Sequence, residues 1–124
     1  MEIILYEFGS SRSVRCRWTF KELGLEYKSI EDSSLFRSDE LKKIHPLGKM
    51  PAAIIDGKPL FESAAICTYV ADQIKEIDLI AKPGSWARAQ LDQWVAFASG
   101  WKLVGSSCSI GTGASSISRG CYLF

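Results

Sequence analysis

Between His45 and Ile66 the chain reads His45-Pro46-Leu47-Gly48-Lys49-Met50-Pro51-Ala52-Ala53-Ile54-Ile55-Asp56-Gly57, then Leu60-Phe61-Glu62-Ser63-Ala64-Ala65-Ile66. Few folds accommodate that succession. It spells an extended loop ending at a Met-Pro bond, a strand, a tight turn at Asp56-Gly57, a second strand, and a helix opening at Glu62-Ser63. Such a loop offers the free backbone of Met50 to an extended peptide. The helix start offers unpaired N–H groups and a positive dipole end to a carboxylate. Together they outline a site for a small anionic peptide.

The flanking segments supply the rest of a domain. Glu2 to Tyr6 is a short apolar run suited to a buried strand. Ser13 to Leu23 carries Val14, Trp18 and Leu23 near helical spacing, with Gly24 placed as a C′ cap. Glu26 to Ile30 suits a second, parallel strand, and Ser38-Asp39-Glu40-Leu41 has the polar-then-acidic opening of a short helix that Pro46 prevents from continuing. With the hairpin and a helix from about Ser63 to Gln73, the order is βαβαββα, an α/β fold. We assign residues 1–77 to this domain and 78–85, with its Lys82-Pro83-Gly84-Ser85 punctuation, to a linker. Residues 86–99 form a helix in which Ala87, Leu91, Trp94, Val95 and Ala98 recur at helical spacing and Arg88 and Asp92 pair at i,i+4. After Ser99 the chain is crowded with Gly and Ser and contains no Asp or Glu. Because Gly costs about 1 kcal/mol per site in a helix interior and Ser prefers caps and turns, we read residues 100–124 as an irregular tail.

Composition removes several classes of function. With 15 basic against 14 acidic residues in a 124-residue chain, net charge is +1, and the two signs are mixed, so no nucleic-acid footprint is expected. No apolar run approaches the ~20 residues that span a bilayer, and an acid stands at Glu2, so a soluble cytoplasmic protein without a membrane partner is expected. Cys16, Cys67, Cys108 and Cys121 form no Cys-x-x-Cys pair, and His45 is the single histidine. That pattern suggests neither a metal site nor a dithiol redox site, and Cys16 and Cys67 read as small helix residues facing a core.

The run from His45 to Ile66, continued by Cys67-Thr68-Tyr69, resembles the N-terminal, thioredoxin-like half of a glutathione transferase. Two upstream stretches are similar to the same family: Leu5-Tyr6-Glu7-Phe8-Gly9-Ser10-Ser11-Arg12-Ser13-Val14-Arg15-Cys16-Arg17-Trp18 and Glu22-Leu23-Gly24-Leu25-Glu26-Tyr27. The resemblance covers roughly residues 1 to 99. It implies a thioredoxin-like domain followed by the first helix of an all-helical domain whose remainder is missing here.

What the resemblance implies for the site follows residue by residue. Serine-using classes show Ser, three residues, then Arg at the first helix, which Ser11 with Arg15 fits. Ser11 is therefore the first choice as hydrogen-bond donor to the glutathione thiolate, Ser10 the second and Ser13 the third; the alternative is that Ser11 or Ser13 merely caps the helix. Tyrosine-using classes place their catalytic residue where Glu7 stands, so Tyr6 should be a packed strand residue. Met50 should pair its backbone with the cysteinyl unit, ahead of a cis Pro51. Lys49 should meet the glycine carboxylate, and His45 should cap the loop or reach the same carboxylate. Glu62 should receive the γ-glutamyl ammonium, and Ser63 its carboxylate. Asp92 is a weaker candidate for a neighbouring subunit's γ-glutamyl group.

The implied activity is transfer of the glutathione thiol to a small electrophile, or peroxide reduction, with glutathione as co-substrate and no metal. The family resemblance implies a homodimer, which loss of helical-domain surface would weaken. Two other readings stand beside it. One is a non-catalytic binding or interaction module of the same family; the other is a glutaredoxin-like reductase using Cys16.

Overall fold

The computed structural model describes residues 1–105. Its elements run β1 (Ile3–Tyr6), α1 (Ser13–Glu22), β2 (Lys28–Ile30), a 3₁₀ turn (Ser33–Leu35), α2 (Asp39–Lys42), β3 (Ala52–Ile55), β4 (Lys58–Phe61), α3 (Ser63–Gln73) and α4 (Trp86–Gly105). This is the α/β order read from the sequence. The strands form one mixed sheet, β2-β1-β3-β4, in which β1 runs parallel to β2 and antiparallel to β3, and β3 runs antiparallel to β4.

Period-two alternation along β1 builds a core on each face of the sheet. Ile3 and Leu5 pack with Cys16, Phe20, Leu23, Ile66 and Val70, the layer of α1 and α3. Tyr6 packs with Leu41, Ile44 and Ala52, the layer of α2. Tyr6 is thus a core strand residue, and Phe20, fully buried, meets the Tyr27 ring edge-on at 5.0 Å.

The buried stripe of α1 differs from the expected one. Val14 and Trp18 are 48% and 56% exposed, while Ser13, Cys16, Thr19 and Phe20 are buried. Leu23, of the expected stripe, is buried, but it shares its face with Cys16 and Phe20, since a helix on a sheet buries one face and leaves the Val14 and Trp18 side open. The exit of α1 holds that rotation: the Leu25 amide donates to the Phe20 carbonyl at 2.9 Å and the Gly24 amide to Lys21 at 3.1 Å, the paired bonds of a Schellman cap.

The loop that reaches Pro51 is strapped to the chain before α2. The Ser38 hydroxyl caps α2 by accepting from the Leu41 amide at 3.1 Å. The Arg37 amide donates to the Gly48 carbonyl at 2.8 Å. Gly48 has φ 57°, and a Cβ there would lie 2.6 Å from the Arg37 Cα, so this approach requires glycine. The Met50–Pro51 bond is cis. Asp56 and Gly57 then turn with φ 48° and 77°, the positive pair a two-residue hairpin demands.

Beyond the linker, the Ser85 hydroxyl caps α4 by accepting from the Arg88 amide at 3.1 Å. The helix runs on to Gly105 instead of ending at Ser99. Between Gly100 and Gly105 stands Trp101-Lys102-Leu103-Val104, free of Gly and Ser, so the interior Gly100 is outweighed. The rest of the expected tail, residues 106–124 with Cys108 and Cys121, lies outside the described residues. Among the described residues, no helix is long and apolar enough to cross a membrane.

Candidate functional site

The turn from β1 into α1 and the end of the cis-Pro loop face a common cavity of about 370 Å³, lined by Phe8, Ser11, Ser33, Phe36 and Met50. Ser11 and Met50, residues far apart in sequence, are thereby brought together. The Ser11 Oγ accepts from the Ser13 amide at 3.2 Å and lies 2.8 Å from the Ser13 Oγ, which itself accepts from the Phe8 amide at 3.2 Å. Ser13 is fully buried and so belongs to the turn's internal bonding. Ser10 is exposed and does not line the cavity.

On the loop, His45 is 5% exposed and its Nδ1 accepts from the Leu47 amide at 3.1 Å, so it caps the loop. Its ring packs on Phe61 with centroids 4.8 Å apart. Burial pulls the imidazole below its ordinary pKa, and the nearby Glu62 charge opposes the shift. Lys49 is exposed, Met50 half-buried and Pro51 buried. No hydrogen bond from the described residues engages the Met50 amide or carbonyl.

At the far edge of the sheet, Glu62 leaves β4 with φ 70° and stands exposed, its carbonyl taking the Ile66 amide at 3.0 Å. Ser63 follows as the first residue of α3 and is 3% exposed. It lines a second, larger and mostly apolar cavity of about 610 Å³ with Arg15, Cys67, Leu91 and Trp94. Arg15 therefore faces the cleft between α1, α3 and α4, and does not line the Ser11 cavity. Asp92 is exposed and paired with Arg88 at 3.0 Å.

Three clusters escape sequence spacing. Glu7 is 2% exposed; its Oε1 accepts from the Ser29 hydroxyl at 2.6 Å, and its Oε2 forms a 3.1 Å ion pair with Arg17 Nε without hydrogen-bond alignment. Arg17 also donates to the Gly9 carbonyl, so the cluster pins the turn that carries Ser11. Arg88 binds Asp72 bidentately at 2.7 and 2.9 Å as well as the expected Asp92. Finally, the expectation of no close thiol pair is corrected: packing of α1 on α3 brings Cys16 Sγ and Cys67 Sγ to 4.0 Å. No short-range motif announces a contact between residues 16 and 67; only the pairing of two helix faces does. Among the described residues, no group of three or more His, Cys, Asp and Glu side chains is gathered to hold a metal ion.

A mixed four-stranded sheet sandwiched by helices, with its polar candidates on the β1–α1 turn, a cis-Pro loop and the start of α3, defines a thioredoxin-like domain. The chain belongs to the glutathione transferase family, residues 1–72 matching the family's description "Glutathione S-transferase, N-terminal domain". Protein LigF of Sphingobium sp. is 37% identical over 99 residues, covering 76% of this chain and 38% of that protein. Glutathione transferase GST 23 of Zea mays is 30% identical over 97 residues, 77% of this chain and 43% of that protein. Among solved structures, Drosophila melanogaster glutathione S-transferase isozyme E7 superposes with TM-score 0.71 at 29% identity, over 79% of this chain and 46% of that one. Rice GST1 in complex with glutathione superposes with TM-score 0.68 at 29% identity, over 80% and 48%. The chain spans less than half the length of these curated relatives.

Proposed function

We propose that this chain binds glutathione across the β1–α1 turn, the cis-Pro loop and the start of α3, and holds its thiol as a thiolate for attack on a small electrophile or a peroxide. The observation that carries the reading is the shared cavity of Ser11 and Met50. A hydroxyl has one donor and two acceptor sites. If the Ser13 amide and the Ser13 hydroxyl occupy both acceptor sites of Ser11, the Ser11 proton is left for an anion in the cavity. The free backbone of Met50, on the same wall, pairs with the cysteinyl unit and sets its sulfur toward Ser11. Ser10 is the second choice as donor.

The remaining roles follow from charge and placement. Glu62 takes the γ-glutamyl ammonium, and the Ser63 hydroxyl and amide, at the N-terminus of an 11-residue helix, take its carboxylate. Lys49, exposed beside Met50, meets the glycine carboxylate, while His45 and Pro51 shape the loop. Arg15 adds positive charge at the opening of α1. Rice GST1 and the Pseudomonas fluorescens family member were solved with glutathione, which supports glutathione as the peptide.

A second reading, a module that binds glutathione without conjugating it, is favoured by one observation. The α1–α3–α4 cleft is open, with Trp18 and Trp94 56% and 63% exposed on its walls. Titration calorimetry with glutathione, repeated on Glu62→Ala/Ser63→Ala, tests binding; thiolate ultraviolet absorbance against pH tests activation. Ser11→Ala should raise the bound thiol's pKa by about 1–2 units, the loss of one charge-assisted hydrogen bond of about 1.5–3 kcal/mol. Binding that survives the double substitution overturns the site; an unchanged thiol pKa overturns the role of Ser11. Binding with a normal thiol pKa in the parent chain selects the module.

A further inference from the structure

Cys16 and Cys67 take no part in the site proposed above, yet they are arranged as a reactive pair. Cys16 turns inward from α1 and is fully buried, whereas Cys67, on α3, is half-buried and opens on the 610 Å³ cleft. The Cys67 thiol is directed at the Cys16 sulfur at 4.0 Å, and the Cys16 thiol at the Ser63 carbonyl at 4.0 Å. One sulfur is reachable from solvent, and the other waits behind it.

The contact with Cys16, aided by the Thr19 hydroxyl and the Arg15 charge, pulls the Cys67 thiol down to about 7 against the effect of burial. The same contact and burial push the Cys16 thiol far up, so the half-buried Cys67, which opens on the cleft, is the more acidic member of the pair. A lowered thiol pKa raises the thiolate fraction available for attack at neutral pH.

We propose that Cys67 is a hydroperoxide-reactive thiol with Cys16 as its resolving partner, oxidation joining α1 to α3 through a Cys16–Cys67 disulfide. The Cys67 thiolate attacks the outer oxygen of a hydroperoxide. An S–O bond forms, the O–O bond breaks, and the alkoxide leaves as an alcohol after taking a proton. Cys67, now two electrons oxidised, is a sulfenic acid. The Cys16 sulfur then attacks it: an S–S bond forms, the S–O bond breaks, and hydroxide leaves with the Cys16 proton as water. Two thiols and one hydroperoxide give one disulfide, one alcohol and one water. Closing from 4.0 Å to a bond of about 2 Å takes side-chain rotation and a small approach of the two helices.

The test uses the full chain, folded by circular dichroism, treated with a few equivalents of hydrogen peroxide, alkylated after denaturation and digested for mass spectrometry. Expected is a Cys67 peptide carrying the Cys16 peptide, released by dithiothreitol, with Cys16→Ser instead giving Cys67 trapped by dimedone. In Cys67→Ser, Cys16 should stay alkylatable. Recovery of both as free thiols from the parent chain, or pairing of Cys67 with Cys108 or Cys121, overturns the proposal. The readout is independent of glutathione, so its failure leaves the proposed glutathione site standing.

Discussion

Arg88 is the joint between α4 and the thioredoxin-like domain, and its removal has a calculable cost. Its guanidinium makes two parallel bonds to Asp72 at 2.7 and 2.9 Å, a third to the Ala81 carbonyl at 3.2 Å, and one to Asp92 at 3.0 Å. The side chains of Arg88 and Asp72 are only 11% and 22% exposed, so water replaces little of what is lost. A bidentate pair of this burial contributes about 2 kcal/mol, between the exposed and buried limits, and the outer contact to Asp92 about 0.3–0.5 kcal/mol. Arg88→Ala should therefore cost about 2–3 kcal/mol, or roughly 10 °C in Tm for a chain of this size. The assay is a double-mutant cycle of Arg88→Ala and Asp72→Ala by urea unfolding, with an expected coupling of about 2 kcal/mol. The pH dependence has a definite sign. Arg88 holds Asp72 below the ordinary carboxylate range, so the unfolded chain binds its proton first as pH falls. The coupling should be complete above about pH 4 and fade as pH falls through the lowered folded value. A coupling below about 0.5 kcal/mol at neutral pH, or one undiminished in strong acid, would refute the reasoning.

Gly48→Ala should destabilise the chain by more than about 2 kcal/mol in denaturant titration, because it combines a left-handed backbone with backbone contact at 2.6 Å. Gly24→Ala, with φ 63° but open space around it, should cost only about 1 kcal/mol and serves as the control. His45 is the chain's single histidine, so its imidazole resonance can be followed without assignment. Its folded pKa is depressed by burial, so stability present above about pH 6.5 should decline as pH falls toward the folded value. His45→Asn, which keeps an acceptor for the Leu47 amide, should flatten that decline in the same unfolding assay.

The order of elements was legible because each rests on local chemistry. Asp56-Gly57 can hardly be anything but a hairpin turn, Ser38 and Ser85 are side-chain caps, and Gly24 closes α1. The rotation of α1 was not legible, since Leu23 continues the spacing of Val14 and Trp18 as well as that of Cys16 and Phe20. Choosing between stripes needs the sheet and α3 that the helix packs against. The continuation of α4 past Ser99 was not legible because composition over a long window hides a helix-compatible tetrapeptide between two glycines. The site divides in the same way. The capping role of His45 and the placement of Met50 follow from a contiguous loop. The partners of Glu7 and of Asp72 lie across 10 to 22 residues of chain, with no periodicity to connect them.

The two proposed chemistries share their supports. Ser11 sits at the turn entering α1 and Cys16 inside it, while Ser63 opens α3 and Cys67 follows one turn later. The Cys16 thiol is aimed at the Ser63 carbonyl, so the buried sulfur touches the backbone that would receive the γ-glutamyl carboxylate. The relative position of α1 and α3 is therefore a common variable: it sets the distance between Ser11, the proposed thiol donor, and Ser63, the proposed carboxylate receptor, and it sets the gap between the two sulfurs. The open cleft, with Arg15, Ser63 and Cys67 on its floor and Leu91 and Trp94 on its wall, lies on the same pair of helices. A bond between Cys16 and Cys67 would narrow that floor and withdraw the exposed thiol at once. The thiol chemistry proposed for the protein and that proposed for its ligand would be coupled through one helix–helix interface, not through a shared catalytic residue.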